Sequence, residues 1–219
     1  LTTIGVFGGT FDPVHIGHLR TCVELRGSLD LAEIHMIPCA RPPHRSSPVA
    51  TAEQRLAMLR RAIINEPCLL ADDREIRRTG PSYTVDTLRE LRVAAGKRAI
   101  YFCIGMDSLL SLDSWHRWRE LTDFAHLVVV ARPGWNLPVQ GPVADWLADK
   151  LVGDVEPADI QLTAKEPCGQ VLIRKMIPLP IESTRLREDL ANGRSVRYLI
   201  PDGVLDYIQE HRLYQTVSL

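Results

Sequence analysis

Short runs of apolar and β-branched residues alternate with amphipathic stretches along most of this chain, and few folds accommodate that order. Thr3–Phe7 reads as a strand that ends in Gly8-Gly9, and Leu19–Leu25 suits a following helix. Ile34–Ile37 is a second strand, stopped by Pro38. Thr51–Ile64 predicts a helix: Thr51 and Gln54 fit a capping box, and Leu56, Leu59 and Ile63 share one face. Val85–Ala95 is another, with Ser82 or Thr84 as cap and Gly96 as terminator. Ala99–Ile104 and Leu127–Ala131 are unbroken apolar runs, as expected of strands buried on both faces. A short helix over Ala144–Leu151, a strand over Val171–Ile177, and helices over Thr184–Asn192 and Gly203–His211 complete the series. Strands alternating with helices imply an α/β chain: a parallel sheet wrapped on both faces, with its site at the carboxyl ends of the strands.

Loops are expected at Cys39–Val49, Arg132–Pro142 and Gly153–Gly169. None is biased enough in composition to be a linker, and no internal repeat is visible. The expectation is one domain over 1–219, with 183–219 as a C-terminal helical portion. A formal charge of −1 does not suggest a blanket basic surface for duplex nucleic acid, although a local basic cleft remains open. The five cysteines are odd in number, scattered and never spaced C-x-x-C, which argues for free thiols in a reducing cytoplasm, not for a disulfide frame or zinc site. No apolar run approaches the roughly 20 residues that cross a bilayer. The first residues lack the pattern of a secretory signal. Leu1 is not an initiating residue, which points to residues removed upstream.

The segment Gly8-Gly9-Thr10-Phe11-Asp12-Pro13-Val14-His15-Ile16-Gly17-His18 follows a strand and opens a helix, where backbone N–H groups and the macrodipole favour anions. Gly8 and Gly9 let a ligand approach the backbone. His15 and His18, three apart, share a face of the first turn, with Gly17 leaving room beside them. Two imidazoles there can donate to phosphate oxygens; the plainer readings are exposed histidines or two ligands of a metal. Ile181-Glu182-Ser183-Thr184-Arg185-Leu186-Arg187 sets two hydroxyls at a helix start and Arg187 one turn on. That is a second anion site or a simple cap with solvated arginines.

The first segment resembles the nucleotidyltransferase superfamily marked by G-T-F-D-P-x-H-x-G-H, a variant of the H-I-G-H signature. The resemblance implies a Rossmann-like, doubly wound fold and attack on the α-phosphate of an NTP with release of pyrophosphate. Both histidines would hold the triphosphate, and Gly8, Gly9, Thr10, Phe11 and Gly17 would surround it. The second segment is similar to the I-S-S-T-x-I-R element of that superfamily, which implies that Ser183, Thr184 and Arg187 grip the outer phosphates. Glu182 stands where a serine is usual and is expected to point away.

Pro42-Pro43-His44-Arg45, Ser82-Tyr83-Thr84, Ile104-Gly105-Met106-Asp107, Trp115 and Arg132-Pro133-Gly134, in that order and spacing, resemble bacterial nicotinate mononucleotide adenylyltransferases. Arg45 replaces a frequent lysine, and Met106 a smaller residue. The resemblance implies ATP and nicotinate mononucleotide as substrates and Mg²⁺ carried with ATP. Gly105 and Asp107 would serve ATP, with Asp107 on the ribose, although Asp107 also fits a helix cap. His44, Arg45, Ser82, Tyr83, Thr84, Trp115 and Arg132 would bind the mononucleotide. Trp115 and Trp118, three apart, are expected on one helical face, where core packing is the plain alternative. The start of the helix after Ser82 would receive the nicotinate carboxylate. The shorter pantetheine-phosphate adenylyltransferases share both phosphate motifs and are the nearest rival; a cytidylyltransferase, a catalytically silent nucleotide sensor and a metal-binding protein are further alternatives. His35, His116, His126 and His211 carry no assignment.

Overall fold

The structure, a computed structural model, describes residues 3–42, 47–131, 134–154, 165–177 and 179–215. Its strands are β1 (Ile4–Gly9), β2 (Glu33–Pro38), β3 (Leu69–Ala71), β4 (Ile100–Gly105), β5 (His126–Ala131), β6 (Leu151–Asp154) and β7 (Val171–Lys175). They form one sheet in the order β3-β2-β1-β4-β5-β7-β6, with every pairing parallel. The helices are α1 (Ile16–Ser28), α2 (Ala52–Ala62), α3 (Arg74–Arg77), α4 (Thr84–Ala95), α5 (Met106–Leu110), α6 (Leu121–Phe124), α7 (Pro142–Lys150), α8 (Ser183–Ala191) and α9 (Asp202–Glu210).

Both faces of the sheet are covered, which explains the unbroken apolar runs of β4 and β5. On one face Cys22, Leu25, Met58, Leu59, Val204 and Tyr207 pack from α1, α2 and α9. On the other, Val85, Leu88, Leu91, Leu109 and Leu147 pack from α4, α5 and α7. The chain winds from β1 outward through β2 and β3, then returns to place β4 on the opposite side of β1. Strand order therefore reverses between β1 and β4, where α/β sheets bind ligands. Pairing of those strands stops at Phe7 with Cys103, while β1 stays paired to β2 as far as Gly9 with Pro38. Gly8-Gly9 and Ile104-Gly105 are thus released from each other, and the crevice opens between them.

Several elements differ from the sequence expectation. Helix α1 begins at Ile16, earlier than the apolar spacing of Leu19–Leu25 indicates, and His15 is its N-cap residue, not part of its first turn. Strand β7 ends at Lys175, short of Ile177. The N-cap of α4 is Tyr83, with no side-chain cap bond, so neither Ser82 nor Thr84 fills that role. Trp115 and Trp118 share no helix: Trp115 follows the 3-10 turn Leu112–Ser114, Trp118 opens a second turn over Trp118–Glu120, and Arg117 between them is left-handed at φ 52°. That backbone reversal sends Trp118 into the core, edge-on to Trp146, and leaves Trp115 at the crevice.

Candidate active site

The glycines of the first motif make room for rings. A Cβ on Gly9 would lie 2.7 Å from the ring of Phe11, which folds back over the strand end at φ 52° and is buried. A Cβ on Gly17 would lie 3.0 Å from Nδ1 of His15 and 3.4 Å from the carbonyl of Leu179. With those positions bare, His15 and His18 stack at 3.6 Å between centroids, and Phe11 meets His18 edge-on at 5.1 Å.

The two histidines form the capping box of α1. Nδ1 of His15 accepts from the His18 N–H at 3.4 Å, and Nδ1 of His18 accepts from the His15 N–H at 3.3 Å. A ring nitrogen that accepts cannot carry the proton, so each ring holds its single proton on Nε2. Burial pushes the His15 pKa down to about 4; burial, then the proximity of His15, pushes that of His18 down to about 3. The pair therefore presents two neutral N–H donors at a helix N-terminus, a combination suited to polyanionic oxygens.

Asp12 holds this turn in place. Its buried carboxylate accepts from the N–H groups of Val49 and Ala50 at 2.8 and 3.1 Å and from the Tyr214 hydroxyl at 2.6 Å. Burial, then the bond to Asp12, drives the tyrosine pKa far upward, so it stays a donor. The second anion motif docks on the same turn: Arg187 donates to the Asp12 carbonyl at 2.7 Å, and Ser183 to the Pro13 carbonyl at 3.0 Å. Thr184 is exposed and accepts from Arg187 at 3.4 Å. From below, the fully buried Arg55 donates to the carbonyls of Thr10 at 2.6 Å and Ala50 at 3.2 Å.

Two cavities meet at the crevice. The larger, about 310 Å³, runs from Gly8, Gly9 and Thr10 to Tyr83, Thr84 and Trp115. The smaller, about 170 Å³, lies beside Asp107, Thr21 and Trp135. Phe7, Ile104 and Gly105 line both, and the ring of Phe7 lies 6.4 Å from that of His18. Ser82 is buried and accepts from the N–H groups of Ala40 and Arg41, each at 3.1 Å, tying the loop after β2 to the start of α4. Asp107, exposed in the first turn of α5, makes no side-chain cap bond. The structure thus docks the start of α8, with Ser183, Thr184 and Arg187, on the turn before His15 and His18, gathers Ser82, Tyr83, Thr84 and Trp115 on one cavity and Asp107 on the other, and sets Gly105 on both. His44, Arg45 and Arg132 lie outside the described residues. Among the described residues no three His, Cys, Asp or Glu side chains form a metal cage.

Residues 6–189 match the cytidylyltransferase-like family. A protein of Aeromonas salmonicida named "probable nicotinate-nucleotide adenylyltransferase" is 47% identical over 212 residues, 97% of each chain. A Cellvibrio japonicus protein of the same name is 45% identical over 214 residues, covering 97% of this chain and 99% of its own. The chain belongs to the nicotinate-nucleotide adenylyltransferase family. Among solved structures, the nicotinic acid mononucleotide adenylyltransferase of Plasmodium falciparum complexed with NaAD superposes with a TM-score of 0.72 at 18% identity over 98% of both chains, a likeness of fold. As a member of this adenylyltransferase family the chain is a nucleotidyltransferase. Of the three departures from the family pattern, Glu182 is the exposed N-cap residue of α8, Met106 is buried and lines the smaller cavity beside Asp107, and Arg45 lies outside the described residues.

Several residues of the site had no assignment from sequence. His116 stacks on Tyr83 at 4.2 Å, Glu75 and Thr87 line the larger cavity, and Trp135 the smaller. Arg55 and Tyr214 support the turn after β1 from far along the chain. Only Arg55 left a trace, as a charged residue beside Leu56 and Leu59 on a helix whose neighbours are buried.

Proposed function

We propose that this chain transfers the adenylyl group of ATP to nicotinate mononucleotide, giving nicotinate adenine dinucleotide and pyrophosphate. The observation that carries the reading is the neutral Nε2–H pair of His15 and His18, set at the helix start beside two cavities that meet at Phe7 and Gly105. A phosphate oxygen of the mononucleotide attacks the α-phosphorus, the bond to the bridging oxygen of the β-phosphate breaks, and pyrophosphate leaves. The attacking phosphate is already anionic, so no general base is required. His15 and His18 donate to oxygens on which charge grows, while Ser183, Thr184 and Arg187 hold the outer phosphates. Asp107 accepts the ribose hydroxyls of ATP, with Gly105 giving its backbone close approach. Trp115 and Tyr83 flank the pyridine ring, and the first N–H groups of α4 receive its carboxylate; His44, Arg45 and Arg132 complete the mononucleotide side. In-line positioning and charge stabilisation account for the rate. The divalent ion, normally Mg²⁺, arrives as part of the substrate on the triphosphate. ATP and the mononucleotide are the partners, and the cytoplasm, where the five free thiols persist, is the setting.

A pyrophosphate-release assay over nicotinate mononucleotide, nicotinamide mononucleotide and phosphopantetheine tests this. A helix start favours an anion, and hydrogen bonds to a charged carboxylate exceed those to an amide, so the acid should lead the amide by roughly 30- to 1,000-fold in kcat/KM. Turnover of phosphopantetheine in preference to both mononucleotides would overturn the assignment.

A further inference from the structure

The larger cavity contains one group that the reaction as described leaves without a task. Glu75, on α3, is buried to 8% exposure and lines the cavity with Thr84, Thr87 and Trp115. Its Oε1 accepts from the Thr87 hydroxyl at 2.7 Å, but its Oε2 is buried with no hydrogen-bond partner. Among the described residues no cation lies within ion-pair distance of it. The nearest candidate, Arg78, donates to Thr87 at 3.0 Å and is paired with Glu90 at 2.9 Å, one hydroxyl removed from Glu75. A buried carboxylate in this condition destabilises the empty protein, and such a group persists where a bound ligand compensates it.

We propose that Glu75 recognises the positive charge of the pyridinium ring, and so selects for mononucleotides whose ring nitrogen is quaternary. This rests on the mononucleotide reading given above. Both the acid and the amide carry that fixed charge at the N-glycosidic nitrogen. A carboxylate oxygen in a poorly solvated cavity attracts it strongly. The rest of the cavity lining points the same way: Trp115 and the stacked Tyr83–His116 pair supply aromatic faces, whose quadrupoles favour a cationic ring. The division of labour follows. The start of α4 distinguishes the substituent on the ring, and Glu75 senses the charge of the ring itself.

Glu75→Gln keeps the side-chain shape and an acceptor for Thr87 while removing the charge. In the variant, KM for nicotinate and nicotinamide mononucleotides should each rise about 10- to 100-fold, with their ratio preserved and KM for ATP unchanged. The ligand-free melting temperature should hold or increase, because an unpaired buried charge has gone. In the wild-type protein, calorimetric titration should show the ring-reduced, uncharged nicotinamide mononucleotide binding more weakly than its oxidised form, and the gap should close in Glu75→Gln. Unaltered mononucleotide KM values, or equal binding of the oxidised and reduced rings to wild type, would overturn the proposal. A fall in melting temperature with both substrates weakened would assign Glu75 to packing, and an altered acid-to-amide ratio would place it at the substituent. Failure of the wild-type protein to release pyrophosphate with nicotinate mononucleotide would instead fault the parent reading, and the titrations would still judge Glu75.

Discussion

Each imidazole of the His15–His18 pair has one nitrogen engaged by the backbone, and this decides what a substitution removes. Asparagine can place its amide oxygen where Nδ1 accepts but has nothing at the position of Nε2. His18→Asn should therefore keep α1 capped and the protein folded while losing about 10²–10³ in turnover, the usual cost of one preorganised donor. Retention of more than about a tenth of the rate would remove His18 from the chemistry. The same geometry sets a pH dependence. Both rings titrate near 6.5 when unfolded but only near 4 and 3 when folded, so the unfolded chain binds more protons in between. Stability from the pair is complete above pH 6.5 and declines as the pH falls through that window. Melting curves from pH 7.5 to 4.5 should show that decline, reduced in a His15→Asn/His18→Asn double variant, and turnover should show no inflection belonging to these rings near neutrality. The motif pointed to phosphate through its glycines and its strand-to-helix context together with the histidine spacing. The burial that keeps both rings neutral is three-dimensional, and spacing does not encode it.

At the level of elements, the start of α4 is held by a neighbour, not by a cap of its own. The Ser82 hydroxyl accepts two N–H groups from the loop after β2, and Ser82 N–H donates to the Arg41 carbonyl at 3.0 Å. Ser82→Ala strands those donors at a cost of about 1–3 kcal/mol. The helix start should then shift relative to the crevice, raising KM for the mononucleotide by about tenfold and leaving that for ATP unchanged; steady-state kinetics with each substrate varied separates the two. Elements with strong local signals were legible: the Thr51–Gln54 capping box is present with both bonds, and α4 ends at Gly96 with φ 60°. Strand β3 has three residues and α3 four, too few to show a period, yet α3 carries Glu75. The Trp115–Trp118 spacing misled because three residues define a helical face only when the backbone between them is helical, and Arg117 is not.

Over the whole molecule, the doubly wound order follows from alternation of strands and helices, whereas the two long-range supports of the turn after β1 do not. We propose that residues 1–219 act as one domain, since α9 packs on α2 through Arg61, which lies 4.7 Å from the Tyr207 ring and 3.1 Å from Glu210. A single calorimetric transition is expected. Tyr214→Phe should lower its midpoint by about 3–12 °C, from a lost hydrogen bond to a charged group of about 1.5–3 kcal/mol. KM for ATP should rise with that for the mononucleotide unchanged; an unaffected ATP KM would confine Tyr214 to stability. Asp12 and Tyr214 stand 202 residues apart in the chain. Translation therefore imposes a schedule on this enzyme: the ribosome delivers the histidine pair some two hundred residues before the tyrosine that steadies the turn beside them. A nascent chain can lay β2 and β4 against β1 long before Asp12 gains its last partner, so the turn that carries the histidines is completed only once Tyr214 has emerged from the ribosome.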